Sequence, residues 1–193
     1  MSYLSFLLPL FLFLTSYNGG EMKNEQSQTT DTQQTVRATK SQEVRTIHII
    51  GINQMKFAVK EEGEAVGTGE TVTTPTGETY LLLESIKAAP GETLHIKLTT
   101  VTKLPGAAMS HNWVLLKQGS DPAAFASAAI SAKANDYIPT DLADQVIAHT
   151  GLAAGGETVE VTFTVPDKTG SYDYLCTFPA HFMAGMKGKL IVE

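Results

Sequence analysis

From residue 43 onward, this 193-residue sequence predicts an all-β sandwich. Two observations point there. Short runs of β-branched and aromatic residues alternate apolar with polar side chains, the period of half-buried strands. Between the runs lie turn signals rich in Gly, Pro and Thr. One stretch, between residues 117 and 155, departs from the pattern and carries helical spacing instead.

Taken in order, residues 44–50 and 54–59 are apolar runs with β-branched content, and residues 80–84 follow a Thr-Pro-Thr-Gly turn. Leu94, Ile96 and Leu98 alternate with His95 and Lys97 directly after Pro90-Gly91, and residues 113–117 form a further apolar run. Residues 122–134 are Ala-rich. Residues 141–148 space Leu142, Val146 and Ile147 as a helix would, with Thr140 as its expected cap and Asp141 in its first turn. Val159, Val161, Phe163 and Val165 alternate strictly with Glu160, Thr162 and Thr164. Tyr172, Tyr174 and Cys176 share one face of the next strand, and residues 189–192 close the chain. Roughly eight strands with turns between them give an antiparallel Greek-key sandwich with a partly helical insertion. No internal repeat and no second domain is visible, and a monomer is expected.

Ahead of this domain, residues 1–16 carry no charge and are largely apolar. A membrane-spanning helix needs about 20 apolar residues, and Pro9 interrupts this run. It reads as an export signal or apolar anchor, although the usual basic start is missing. Residues 14–17 resemble a lipoprotein signal site with Tyr17 where the lipid-bearing cysteine would stand. Residues 17–42, rich in Asn, Gln, Ser, Thr and Gly, cannot bury enough apolar surface to offset their ordering entropy and read as a flexible linker. The expected location is therefore the periplasm or cell surface, with a membrane tether if the leader is retained. Acids and bases balance within the linker, so the net charge of −6 belongs to residues 43–193. An acidic domain argues against nucleic acid as a partner.

The chemistry concentrates in Cys-Thr-Phe-Pro-Ala-His-Phe-Met-Ala-Gly-Met at 176–186 and in Met-Ser-His-Asn-Trp at 109–113. Cys176 is the only cysteine, which excludes an internal disulfide and a thiolate-bridged pair of metals. One thiolate, two imidazoles and one thioether form the ligand set of a blue-copper site. His111, Cys176, His181 and Met186 supply it, with Met183 as the rival thioether. The competing readings of Cys176 are an inert core thiol and a nucleophile, which would need a base and an oxyanion site that this spacing does not define. His48, His95 and His149 fall in strands or in the insertion and read as structural or solvated. Pro179, Ala180, Phe182 and Met183, together with Leu104, Pro105, Ala107 and Ala108, are expected to ring an exposed His181 imidazole with a flat apolar patch.

These two motifs resemble those of the azurin and auracyanin branch of the cupredoxins, and the resemblance runs from about residue 44 to the end. It implies the cupredoxin fold, one type 1 copper ion and the ligands His111, Cys176, His181 and Met186. It also implies that the Ser110 carbonyl stands where azurin has a distant axial glycine carbonyl. Asn112 stands where azurin has an Asn that hydrogen-bonds around the ligand loops and the cysteine sulfur. Two departures point from azurin towards auracyanin: His181 and Met186 are five apart, and Ser110 replaces the glycine. Azurin's disulfide is absent as well.

The expected function is one-electron transfer between redox proteins that dock briefly near His181, with no enzymatic turnover. The alternative is a copper carrier or storage protein that delivers metal to a cuproenzyme, a role that favours several exposed Met or His residues. An enzyme of the copper nitrite reductase kind would need a second copper site with its own histidines.

Overall fold

A computed structural model describes residues 43–63 and 65–193. The leader (1–16) and the linker (17–42) inferred above lie outside the described residues. Among the described residues ten strands form: β1 (Val44–Ile52), β2 (Lys56–Val59), β3 (Val66–Thr73), β4 (Thr79–Ala88), β5 (Thr93–Val101), β6 (Val114–Leu116), β7 (Val146–His149), β8 (Thr158–Thr164), β9 (Gly170–Leu175) and β10 (Lys187–Val192). Their hydrogen-bonded order is β7-β6-β9-β10-β4-β2-β1-β5-β8, with β3 beside β4. The two ends of this path, β7 and β8, touch each other, so the sheet is almost closed upon itself.

The alternation legible in β5 places Leu94, Ile96 and Leu98 in the core at zero exposure. Ile47 and Ile49 of the neighbouring β1 lie beside them, and Tyr172 and Tyr174 of β9 and Trp113 belong to the same core. Trp113 lies at the middle of an aromatic row, its ring centroid 5.5 Å from Tyr174 and 5.7 Å from Phe163. Burying an aromatic side chain withdraws on the order of 150–250 Å² from water, so this row is a large share of what holds the two layers together.

Three expectations are corrected. The sheet is mixed: β1 runs parallel to β5 and β10 parallel to β4. β3 gave no signal because its sequence, Val-Gly-Thr-Gly-Glu-Thr-Val-Thr, offers little to bury. It pairs with β4 through two register shifts, and none of its side chains is fully buried.

The helix expected over residues 141–148 does not form. A 3₁₀ segment (Thr140–Gln145) follows Pro139 and gives way to β7, where Val146 pairs with Leu116 and Ala148 with Leu115. β-branched Val146 and Ile147 sit comfortably on an open sheet edge, and that edge outweighs the weak helical spacing. Thr140 does not cap, since Pro139 holds the cap position without a side-chain hydrogen bond. The Ala-rich stretch does yield a helix, α1 (Pro122–Ala129). Asp121 caps it by accepting from Ala123 N at 2.9 Å and Ala124 N at 3.1 Å. α1 ends well before residue 134, and Asp136 and Tyr137 then turn the chain with positive φ (49° and 61°).

Candidate metal centre

Strand pairing brings the two motifs together. β6 pairs with β9 so that Val114 faces Leu175. His111 lies just before β6 and Cys176 just after β9, so both arrive at the same end of the sheet. His111 is fixed by two backbone hydrogen bonds to Ala153, at 3.0 and 2.8 Å. Its ring packs on Gly51 of β1, where a Cβ would lie 2.5 Å from His111 Cδ2. No side chain larger than hydrogen fits there without moving the imidazole.

Residues 177–186 fold back on themselves. The His181 N–H donates to Phe178 O (3.1 Å), the Met186 N–H to His181 O (2.9 Å) and the Cys176 N–H to Met186 O (3.0 Å). The last bond clips the two ends of the loop together and sets Met186 beside Cys176 in the core, at zero exposure. Ala180 and Gly185 take positive φ (71° and 90°) to make the turns. Lys56, the first residue of β2, reaches across and donates to Ala184 O at 2.5 Å.

His111, Cys176 and His181 form a buried cluster whose ligand atoms all lie within 4.8 Å of one another. His111 Nδ1 is 3.1 Å from His181 Nδ1, and Cys176 Sγ is 4.0 Å and 3.4 Å from the two nitrogens. The point equidistant from three corners so spaced is about 2.1 Å from each, close to a metal–imidazole bond of about 2.0–2.1 Å. The donor set thus fits a small soft-to-borderline metal ion. Met186 is buried in the same core cluster as Cys176. Met183 is 83% exposed and points into solvent, which removes the rival thioether from the cluster.

Burial sets the protonation of each group. It lowers the His111 pKa to about 3, helped by the charge His181 would carry, and lowers that of His181 to about 4. Both imidazoles are therefore neutral at pH 7 and keep a lone pair for a metal. Burial pushes the Cys176 thiol up to about 12, while the backbone N–H groups of Asn112 and Phe178 favour the thiolate. A metal must displace the thiol proton, which coordination does readily.

Asn112 joins the two loops. Its Nδ2 donates to Thr177 Oγ1 (2.7 Å) and Asp136 O (3.0 Å), and its Oδ1 accepts from the Thr177 N–H (2.9 Å). Ser110 is buried beside it with its hydroxyl donating to Gly106 O at 2.7 Å. His181 is 2% exposed, so the freely exposed imidazole expected from the sequence is corrected. Phe178 covers it, ring centroid at 4.8 Å, and His111 lies at 4.8 Å on another side. His48 and His149 are exposed elsewhere, and His95 pairs with Glu160 at 3.0 Å. Gly51 and Lys56 escaped sequence reasoning because their roles depend on β1 and its turn lying against loops that are distant along the chain.

The sequence pattern of copper-binding proteins of the plastocyanin/azurin family matches residues 50–193. Auracyanin-A of Chloroflexus aurantiacus is 43% identical over 110 residues, which cover 56% of this chain and 64% of the relative. The match thus spans slightly less than two thirds of that protein. An azurin of Achromobacter denitrificans is 38% identical over 115 residues, covering 58% and 74% respectively. The solved structure of auracyanin A, a "blue" copper protein from the same Chloroflexus species, superposes with a TM-score of 0.58 at 32% identity. That superposition covers 78% of this chain and all of the other.

Proposed function

The chain belongs to the plastocyanin/azurin family of copper-binding proteins, and from that premise we propose that it carries single electrons between redox proteins. The ligands in this reading are His111, Cys176, His181 and Met186. Copper bound among them would supply a Cu(I)/Cu(II) couple, with the axial ligand and the hydrogen bonds around the sulfur tuning its potential.

One observation carries the reading: the donor atoms of His111, Cys176 and His181 already cluster around one point, two of them on a loop locked by its own backbone hydrogen bonds. A cage that need not rearrange between oxidation states suits electron transfer. Asn112 and the Cys176–Met186 clip hold the sulfur and the thioether in place, and Gly51 leaves room for the His111 ring. His181 lies closest to the surface loops, with a small apolar cleft of about 150 Å³ lined by Phe178, Phe182, Met183 and Ile130 beside it. Weak redox encounters use small interfaces of this kind. Copper carriage fits less well, since Met183 is the one highly exposed methionine among the described residues and Met109 is buried. In the same reading the protein works outside the cytoplasm, delivered there by its N-terminal segment.

The direct test is electron self-exchange between oxidised and reduced copper protein, measured by NMR line broadening in mixtures. Fast exchange that survives in Met183→Leu and a potential that moves in Met186→Gln are expected. Redox silence combined with rapid copper transfer to a chelator would reject electron carriage in favour of metal delivery.

A further inference from the structure

Three segments form the mouth around the candidate ligands: residues 53–56, tied in by the Lys56–Ala184 bond; residues 102–113, which bear His111; and residues 176–187. Together they contain Lys56, Lys103 and Lys187 and not one carboxylate. The chain as a whole has 20 acidic residues against 14 basic ones, so this is a local inversion of the overall charge. Among the described residues none of the three lysines is ion-paired, whereas Arg45, Lys87, Lys97 and Lys189 all are. Lys187 Nζ lies 4.6 Å over the Phe182 ring, at the border of the apolar patch. In the middle of the same face stand Leu104, 46% exposed, and Met183, 83% exposed.

The acids lie elsewhere. Glu61 and Glu62 line a groove beside Arg45 and His48, at the opposite end of β1 from Gly51 and His111. Counted along the β1–β2 register, Glu61 and Glu62 fall opposite residues 47 and 46, four to five strand residues or about 13–17 Å from Gly51, beyond the Debye length of about 8 Å at physiological salt. Three carboxylates border the mouth: Glu84, whose place on β4 lies in register with Lys56 and beside Gly188 but whose side chain reaches Gly69 of β3, Asp136, and Glu157, which is engaged with the Ala154 N–H at 2.8 Å.

We infer that this face selects an acidic redox partner, one whose own apolar contact patch is rimmed by carboxylates. Apolar contact holds the pair, and Lys56, Lys103 and Lys187 steer it, which is how complementary charge raises encounter rates. The inference rests on the electron-transfer reading and adds the charge of the partner to it. The acidic balance of the sequence concealed this, because net charge averages over both ends of the molecule.

The test uses hexacyanoferrate(III), an anion that takes one electron from the reduced protein and becomes hexacyanoferrate(II). If the mouth governs the encounter, its rate falls several-fold as ionic strength rises, against the sign that the net charge of −6 dictates. Lys103→Gln/Lys187→Gln should flatten or reverse that dependence while leaving the visible spectrum unchanged. A wild-type rate that climbs with salt overturns the inference. A second readout works without electron transfer: redox-inert hexacyanochromate(III) should broaden amide signals of residues 103–108 and 180–187. Broadening confined to other surfaces overturns it too. Failure of hexacyanoferrate to exchange at all, with that broadening intact, would instead count against the electron-transfer reading.

Discussion

Where β1 begins, charged groups meet in pairs at the edge of water: Arg45 with Glu92 at 2.5 Å, and Lys87 with Glu193 at 2.7 Å. Partial burial pulls Glu92 upward, yet the Arg45 hydrogen bond, the Ala89 N–H and the Arg45 charge together outweigh it and hold the carboxyl below the usual range. Where β1 ends, two imidazoles and a thiol are packed together out of water with no opposite charge beside them, and burial keeps all three neutral. Burying unpaired ionisable groups works against stability. The first arrangement serves the fold, and the second makes sense only for a ligand that repays the burial. Each prediction below perturbs one side of this contrast.

The largest effect is expected from Cys176→Ser. The metal-free protein should stay folded, since a hydroxyl replaces a sulfur of similar shape, while the intense thiolate-to-copper colour disappears. Persistence of the blue absorption would remove Cys176 from the site.

Acid should come next. The metal-free protein has two histidines with folded pKa values of about 3 and 4, against 6.5 when free. Below pH 6.5 the unfolded chain binds more protons than the folded one, so stability falls as pH falls towards 4. The slope approaches about 1.4 kcal/mol per pH unit for each histidine. Denaturant unfolding at pH 7.5, 5.5 and 4.5 reads it, and His111→Gln should remove part of the slope. A flat profile would mean that the imidazoles are not buried as described.

Gly51→Ala is smaller. The new methyl overlaps the His111 ring, and such overpacking costs about 1–3 kcal/mol. Copper affinity should drop and the visible band should shift, because the ring has to move. An unshifted band would place the ring elsewhere.

At the far end, Lys87→Ala should cost under about 1 kcal/mol, as exposed pairs do, and leave the spectrum untouched. A spectral change there would break the contrast between the two ends.

The ligand cluster was more legible in the sequence than much of the fold. The separations of Cys176, His181 and Met186 are fixed by one short loop, and few chemistries place those residue types so close together. The strands with strict alternation, around Leu94–Leu98 and Val159–Phe163, were equally plain. β3 and β7 were not. β3 has almost nothing to bury, and β7 exists because β6 leaves an edge for Val146 and Ala148 to pair with, a tertiary effect that overrides local spacing. The parallel pairing of β1 with β5 left no mark on either strand alone. The burial of His181 was hidden as well, since Phe178 and His111 cover it only after the loop has closed.

The most direct measurement is the visible spectrum of the full-length, copper-loaded, oxidised protein before and after ascorbate. A site built from His111, Cys176, His181 and Met186 predicts an intense red-absorbing thiolate-to-copper band that bleaches on reduction and returns on reoxidation. A protein that binds copper yet stays colourless in its oxidised form would contradict the account.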